Sequence, residues 1–390
     1  MWKRFRCTLL IAILFGQAAG AAEDAPWWKQ QKMRVMWGQW PHAREDKSAD
    51  FWGADLPRHL FRNIASAGET VFVEIRWYKP THTHAQYAPE FGMKYFATLF
   101  ISDLRNAHGK QRAITDTGEL SGEKRPWCPL DQTAYENVFV EPHLEGARQG
   151  IVDGIHVDWE RYGGAGEAEI CYCDDCFSNL SDFKKAEEEL PEKSNRFAWV
   201  TERDLVDAYK ENFSQRRFEM FSRIGKKLRA AKPDLLFSSY GTLFSDFTRA
   251  MNTPATPFIF LDSRHYANND KQPWWESYST RLREEGYLYI PGGWTNGLFS
   301  AQASQVSAAR WIYEASINED GVWLWFEREL DDEILRAYAT ADREIRAVQA
   351  KVENFLFNGE RDAQLRNSGR VDWMTGTSAR RPRGNSPPGQ

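Results

Sequence analysis

The sequence predicts an α/β fold, a single (β/α)8 TIM barrel with insertions after strands 3 and 4. Three observations carry this. Strand-like runs recur at eight places, 33–37, 70–78, 95–101, 152–162, 235–240, 258–261, 287–291 and 322–326. Amphipathic stretches lie between most of them, and strands alternating with helices imply parallel βαβ units. No Gly-rich phosphate-binding turn follows the first strand, which together with the count of eight argues against an open, doubly wound sheet.

The elements follow in order. Residues 1–21 carry Lys3, Arg4 and Arg6, then a short apolar run and a small-residue end. This is the pattern of a secretory signal peptide cut near Ala21 or Ala22. A membrane anchor needs about 20 apolar residues, more than the run offers. The mature chain is therefore expected to be exported, periplasmic or extracellular, with no stable membrane anchor. Residues 30–357 form the predicted barrel, with helix-like stretches at 56–67, 142–149, 199–231, 274–285 and 301–316 and a closing helix at 331–355. Insertions at 103–141 and 161–198 follow the carboxyl ends of strands 3 and 4, the face where barrel enzymes build their sites. The tail 367–390, rich in Arg, Gly, Ser and Pro, has little to bury and is expected to be disordered.

Composition narrows the function classes. The chain is 42% hydrophobic, enough for a sizeable core, and its net charge of −5 is too slight and too dispersed to suggest a nucleic-acid partner. Its 17 tryptophans offer apolar platforms suited to stacking on sugar rings, although many must serve as core.

The stretch 152–164, VDGIHVDWERYGG, is the most informative. Strand alternation puts Ile155, Val157 and Trp159 on one face and His156, Asp158 and Glu160 on the other. Three ionisable groups on one face are costly to bury, which marks an active-site strand rather than a structural one. Glycoside hydrolysis needs a carboxylic acid to protonate the leaving oxygen and a second group to stabilise the oxocarbenium-like centre. Glu160 is the candidate acid, with Asp158 beside it to raise its pKa. Asp262, ending strand 6, and Glu327, after strand 8, are candidates for the second carboxylate. The alternative for both is an ion pair, with Arg264 and Arg328 respectively. Trp323, Trp325 and Glu327 share strand parity, as a sugar subsite would require. His156, Tyr162, Trp37, Tyr240, Trp294 and Trp325 are the candidate substrate-binding residues. Glu74 and Arg76 read as an internal ion pair supporting the barrel floor.

DGIHVDWE resembles the fourth-strand signature of family 18 chitinases and their relatives, D-G-x-D-x-D-x-E, through Asp153, Gly154, Asp158, Trp159 and Glu160. The resemblance implies that Glu160 protonates the glycosidic oxygen and that Asp158 orients an N-acetyl group acting as nucleophile. His156 stands where that family keeps its middle Asp, a departure from the substrate-assisted pattern. The same strand is similar to that of hypothetical glycosyl hydrolase barrels, in which His is at home. DGVWLWFERELDD resembles the last barrel strand of family 18 enzymes, which implies that Trp325 floors the sugar site.

Past Glu160 the chain reads ICYCDDCF. Cys171, Cys173 and Cys176 form C-x-C-x-x-C, and Cys128 precedes them in the first insertion. Four thiolates at such spacing can enclose a tetrahedral zinc ion, whereas an exported chain also permits two disulfides. The arrangement resembles the zinc loop of family 42 β-galactosidases, which implies a structural zinc held by these four. That family ends its seventh strand in a nucleophilic Glu; here YIPGGWTN has no acid. The expected function is hydrolysis of glycosidic bonds in a polysaccharide or oligosaccharide. A catalytically silent carbohydrate-binding barrel, or a barrel enzyme acting on another bond as a lyase or deacetylase, stands beside it.

Overall fold

A computed structural model describes residues 26–30, 32–38, 58–66, 68–77, 83–100, 104, 107–122, 126–158, 170–179, 190–240, 245–263, 274–294, 319–326, 343 and 347. The predicted signal peptide and C-terminal tail lie outside these residues, as do the predicted helix 301–316 and almost all of 331–355.

All eight predicted strands form, and they close into one parallel barrel in sequence order. They are β1 (Met33–Gly38), β2 (Val71–Trp77), β3 (Lys94–Phe100), β4 (Gly154–Asp158), β5 (Leu236–Tyr240), β6 (Ile259–Ser263), β7 (Leu288–Trp294) and β8 (Gly321–Phe326). The β1–β8 pairing that completes the ring runs in unbroken register from Met33↔Gly321 to Gly38↔Phe326.

Alternation divides each strand between two cores. Val35, Trp37, Val73, Phe96, Leu236, Leu261, Ile290 and Trp323 fill the interior. Met36, Phe72, Tyr95, Ile155, Val157, Phe260, Tyr289 and Leu324 face outward beneath the helices. The N-terminal helix α1 (Trp27–Gln30) adds Trp28 to the interior cluster just before β1 begins. Gly154 has a packing reason: a Cβ there would stand 2.6 Å from the Phe96 ring that fills the same level.

The helices depart from the sequence expectation in several places, among them the unforeseen Trp27–Gln30, Asp174–Ser178 and Asp246–Met251. α2 (Arg58–Ser66) lies where expected, but α3 (His84–Glu90) was not foreseen, because Pro89 and the THTH run mask it. Between β3 and β4, α4 (Gln132–Tyr135) passes through a π-helical turn (Glu136–Val140) into α5 (Glu141–Arg148). Asp131 caps its start, accepting from the Ala134 amide at 3.2 Å. After β4 come α6 (Asp174–Ser178), α7 (Arg196–Glu202) and α8 (Val206–Ala231). The single helix expected over 199–231 is broken at Asp204, which adopts the left-handed conformation (φ 55°) while the Leu205 amide turns back to Val200. α9 (Asp246–Met251) and α10 (Trp274–Glu284) cover β5–β7. Among the described residues no helix is long and apolar enough to cross a membrane.

Candidate active site

The two ends of β4 hold different chemistry. At its amino end Asp153 accepts from the Tyr95 amide (3.1 Å) and pairs with Lys94 (3.4 Å) and Lys232 (3.1 Å), tying β3 and the start of β5 to β4. The first Asp of the motif is thus a brace at the closed end of the barrel, away from the mouth.

Toward the carboxyl end, His156 and Asp158 point inward while Ile155 and Val157 face the outer core. His156 is fully buried, and burial alone pushes its imidazole down to about 3, so the ring is neutral. Its Nδ1 lies 2.9 Å from Ser238 Oγ, the register partner on β5. Ser238 was not anticipated; inward alternation along LFSSY is the signal that could have found it. Asp158, almost wholly buried, is in register with Tyr240. The Trp37 ring packs on His156 at 4.5 Å, and Trp37, Tyr240 and Trp323 meet pairwise at 5.6–5.7 Å. Trp37 is therefore a buried wall of the interior rather than an exposed platform. Trp323 joins that wall. Trp325 is the register partner of both Trp37 and Trp294.

Asp262 has the opposite strand parity to Leu261. Leu261 is inward, so Asp262 turns to the outer side, where the Tyr289 hydroxyl donates to its Oδ2 at 2.6 Å. It does not share the face of His156 and Asp158. Glu74 likewise faces out of the barrel and is fully buried; its Oε2 meets His84 Nδ1 at 2.9 Å and accepts from the Tyr95 hydroxyl at 3.3 Å. The expected floor pair is a contact between strand, helix and neighbouring strand; the Arg76 side chain lies outside the described residues. Glu160, Tyr162 and Glu327, and the side chains of Trp294 and Trp325, also lie outside them.

The four cysteines converge. Their sulfurs lie within 4.8 Å of one another, all buried, with Cys128 and Cys176 3.3 Å apart and Cys173 and Cys128 3.8 Å apart. None is joined in a disulfide, whose sulfurs would sit at about 2.05 Å. Zinc–thiolate bonds of about 2.3 Å place tetrahedral sulfurs about 3.8 Å apart, so the cluster is compatible with a structural metal. Three backbone amides aim at the sulfurs at 3.4 Å, Ile114 and Cys173 at Cys171 and Leu130 at Cys128, as anionic sulfur favours. Hydrogen bonding from Cys128 and the other two sulfurs holds Cys173 far below the usual thiol range, while the same contacts push Cys176 far above it. Four thiols this close cannot all ionise without a cation.

Two further side chains hold the backbone around the cluster in place. The Tyr209 hydroxyl donates to the Cys171 carbonyl at 2.6 Å. Buried Arg196 donates to the carbonyls of Tyr172 (2.7 Å) and Pro191 (3.0 Å) and to Asp174 (2.6 Å). Neither residue carries a motif that would announce this role.

No family model and no curated protein matches the sequence. Among solved structures, the chain is similar to the polyextremophilic β-galactosidase of the Antarctic haloarchaeon Halorubrum lacusprofundi, at 13% identity and a TM-score of 0.47 over 81% of this chain and 58% of that one. It is also similar to the β-galactosidase of the psychrophilic Marinomonas ef1, at 11% identity and 0.49 over 83% and 60%. A third likeness is to the cold-adapted β-galactosidase of Rahnella sp. R3, at 12% identity and 0.49 over 81% and 56%. Each is a likeness of fold, and the chain spans less than two thirds of each enzyme's length.

Proposed function

We propose that the chain is an exported glycoside hydrolase acting on a neutral polysaccharide or oligosaccharide, with Glu160 as general acid. The observation that supports this most is the inward row on β4. His156 and Asp158 share the interior at the carboxyl end of the strand, and Glu160 is the next residue of that parity in the sequence. A carboxyl group brought beside apolar walls such as Trp37, Tyr240 and Trp323 would have its pKa raised for proton donation. Asp158 would hold its charge beside the oxocarbenium-like centre. With Asp262 turned outward, Glu327 remains the candidate for a further carboxylate.

The cysteine cluster belongs to the same reading as a structural zinc site. Cys128, Cys171, Cys173 and Cys176 would supply all four ligands, leaving no position for a catalytic water. Its role is to pin the segment that follows β4 to the segment that precedes α4.

The second reading, a carbohydrate-binding barrel without turnover, is favoured by one observation: a neutral His156 occupies the position of an acid in the family 18 signature. Incubating the purified chain with a panel of polysaccharides and aryl glycosides, and following reducing ends and released phenol, separates the two. Turnover lost in Glu160→Gln supports the hydrolase. Binding to a polysaccharide without release of reducing ends by the wild type would establish the second reading instead.

A further inference from the structure

The interior of the barrel contains a polar atom that the described residues leave unsatisfied. His156 Nε2 is buried and makes no hydrogen bond among the described residues. A buried donor or acceptor without a partner is costly and rare, and a ring held in that state points to a ligand. The imidazole is not free to turn away, because Nδ1 is engaged by Ser238 at 2.9 Å and the ring lies on Trp37. Among the described residues the neighbouring groups do not offer a substitute. Thr98, the register partner on β3, spends its hydroxyl on the Glu74 carbonyl. Below, Phe96, Leu236 and Ile259 make the described interior apolar. Above His156 on the same face stands Asp158, in register with Tyr240.

This arrangement selects the chemistry of the ligand. A neutral imidazole gives an anion no charge to pair with. A hydroxyl suits the site, since it donates to or accepts from Nε2 in either tautomer. Of the three rings that meet beside it, Tyr240 is the one partly exposed, and an aromatic ring suits the apolar face of a sugar.

We propose that His156 is a specificity-determining residue whose Nε2 hydrogen-bonds one ring hydroxyl of a neutral sugar at the innermost position of the site. The proposal rests on the carbohydrate reading above and adds the contact that discriminates between sugars. Ser238 acts as a positioning residue that fixes the imidazole.

The test uses the full chain and titration calorimetry with methyl β-D-galactopyranoside, methyl β-D-glucopyranoside and methyl β-D-xylopyranoside, followed by the monodeoxy analogues of the tightest. Asn at position 156 reproduces the Nδ1 contact with Ser238 and omits Nε2; Gln reaches the Nε2 position. His156→Asn is expected to raise Kd about ten- to a hundred-fold and His156→Gln less than about threefold, the factors that follow from leaving or keeping one buried polar partner. In the wild type, removal of one particular ring hydroxyl should cost a similar factor, and in His156→Asn it should cost nothing. A flat deoxy series in the wild type overturns the inference without recourse to any variant. So does His156→Asn with wild-type affinity, or a loss in Gln that exceeds the loss in Asn, which would reduce the role of His156 to its bond with Ser238. A wild type that binds none of the three glycosides overturns this inference together with the carbohydrate reading; binding that is indifferent to position 156 overturns this inference alone.

Discussion

The Tyr289 hydroxyl donates to Asp262 Oδ2 at 2.6 Å on the outer side of the barrel, with the Trp323 indole donating to the Asp262 carbonyl at 2.9 Å. The residue therefore ties β6 to β7 through its carboxylate and to β8 through its backbone carbonyl. Asp262→Asn should leave turnover within about twofold of wild type while lowering stability by about 1–3 kcal/mol, the cost of weakening a bond to a charged group. Tyr289→Phe should show a similar loss, and the double variant should lose less than the sum. Denaturant unfolding and initial rates check this; a collapse of turnover in a folded Asp262→Asn protein would return Asp262 to the active site.

Metal content tests the cysteine cluster. Protein purified without chelator should carry close to one zinc per chain by elemental analysis, and Cys173→Ser should lose it. Because a zinc site of this kind contributes folding free energy directly, the variant and the chelated wild type should both melt well below the holoprotein. Arg196→Ala, which removes three hydrogen bonds around the cluster, should retain the metal with a lower Tm. Two stoichiometric disulfides with no metal would refute the zinc assignment.

Stability should fall in mild acid. Burial pushes His156 down to about 3 and His143 down to about 4, so both rings are neutral in the folded chain. In the unfolded chain each titrates near 6.5. Between these values the unfolded state binds more protons, so the stability present above about pH 6.5 declines as pH falls, by up to about 1.4 kcal/mol per pH unit for each ring. Urea midpoints at about pH 7.5, 6 and 5 should decrease in that order, and His143→Gln should flatten the slope. Equal midpoints at all three would show that neither ring is held neutral.

Glu160→Gln should retain the fold and sugar affinity while turnover falls about 10²- to 10⁴-fold, the usual contribution of acid–base assistance. Aryl glycosides with leaving groups of low pKa need little protonation and should recover part of that loss. Asp158→Asn should be equally severe without such recovery, since its charge acts on the sugar and not on the departing oxygen. A leaving-group series that recovers nothing in folded Glu160→Gln would exclude Glu160 as the acid.

The barrel was legible because its evidence is local. Each strand is a short apolar or alternating run, and a parallel strand buried on both faces needs that pattern whatever its neighbours are. The inward row of His156 and Asp158 follows from the same alternation, and C-x-C-x-x-C declares a cluster within six residues. Local signals also misled. Pro89 obscured the helix His84–Glu90, and the helical period running through 199–231 gave no warning that Asp204 would take a left-handed turn.

What the tertiary structure alone decided depends on register and on contacts distant in the chain. A single residue's offset within β6 sends Asp262 outward while Leu261 faces in, a difference that motif reasoning at a strand end does not resolve. His156 and Ser238 are 82 residues apart and meet because β4 and β5 pair in one particular register. Cys128 is 48 residues from Cys176 and joins it only once the segments before α4 and after β4 fold together. Side-chain period is a property of a segment and can be read along the chain; which side chain supplies a buried polar atom with its partner is settled only when separate segments are brought within hydrogen-bonding distance.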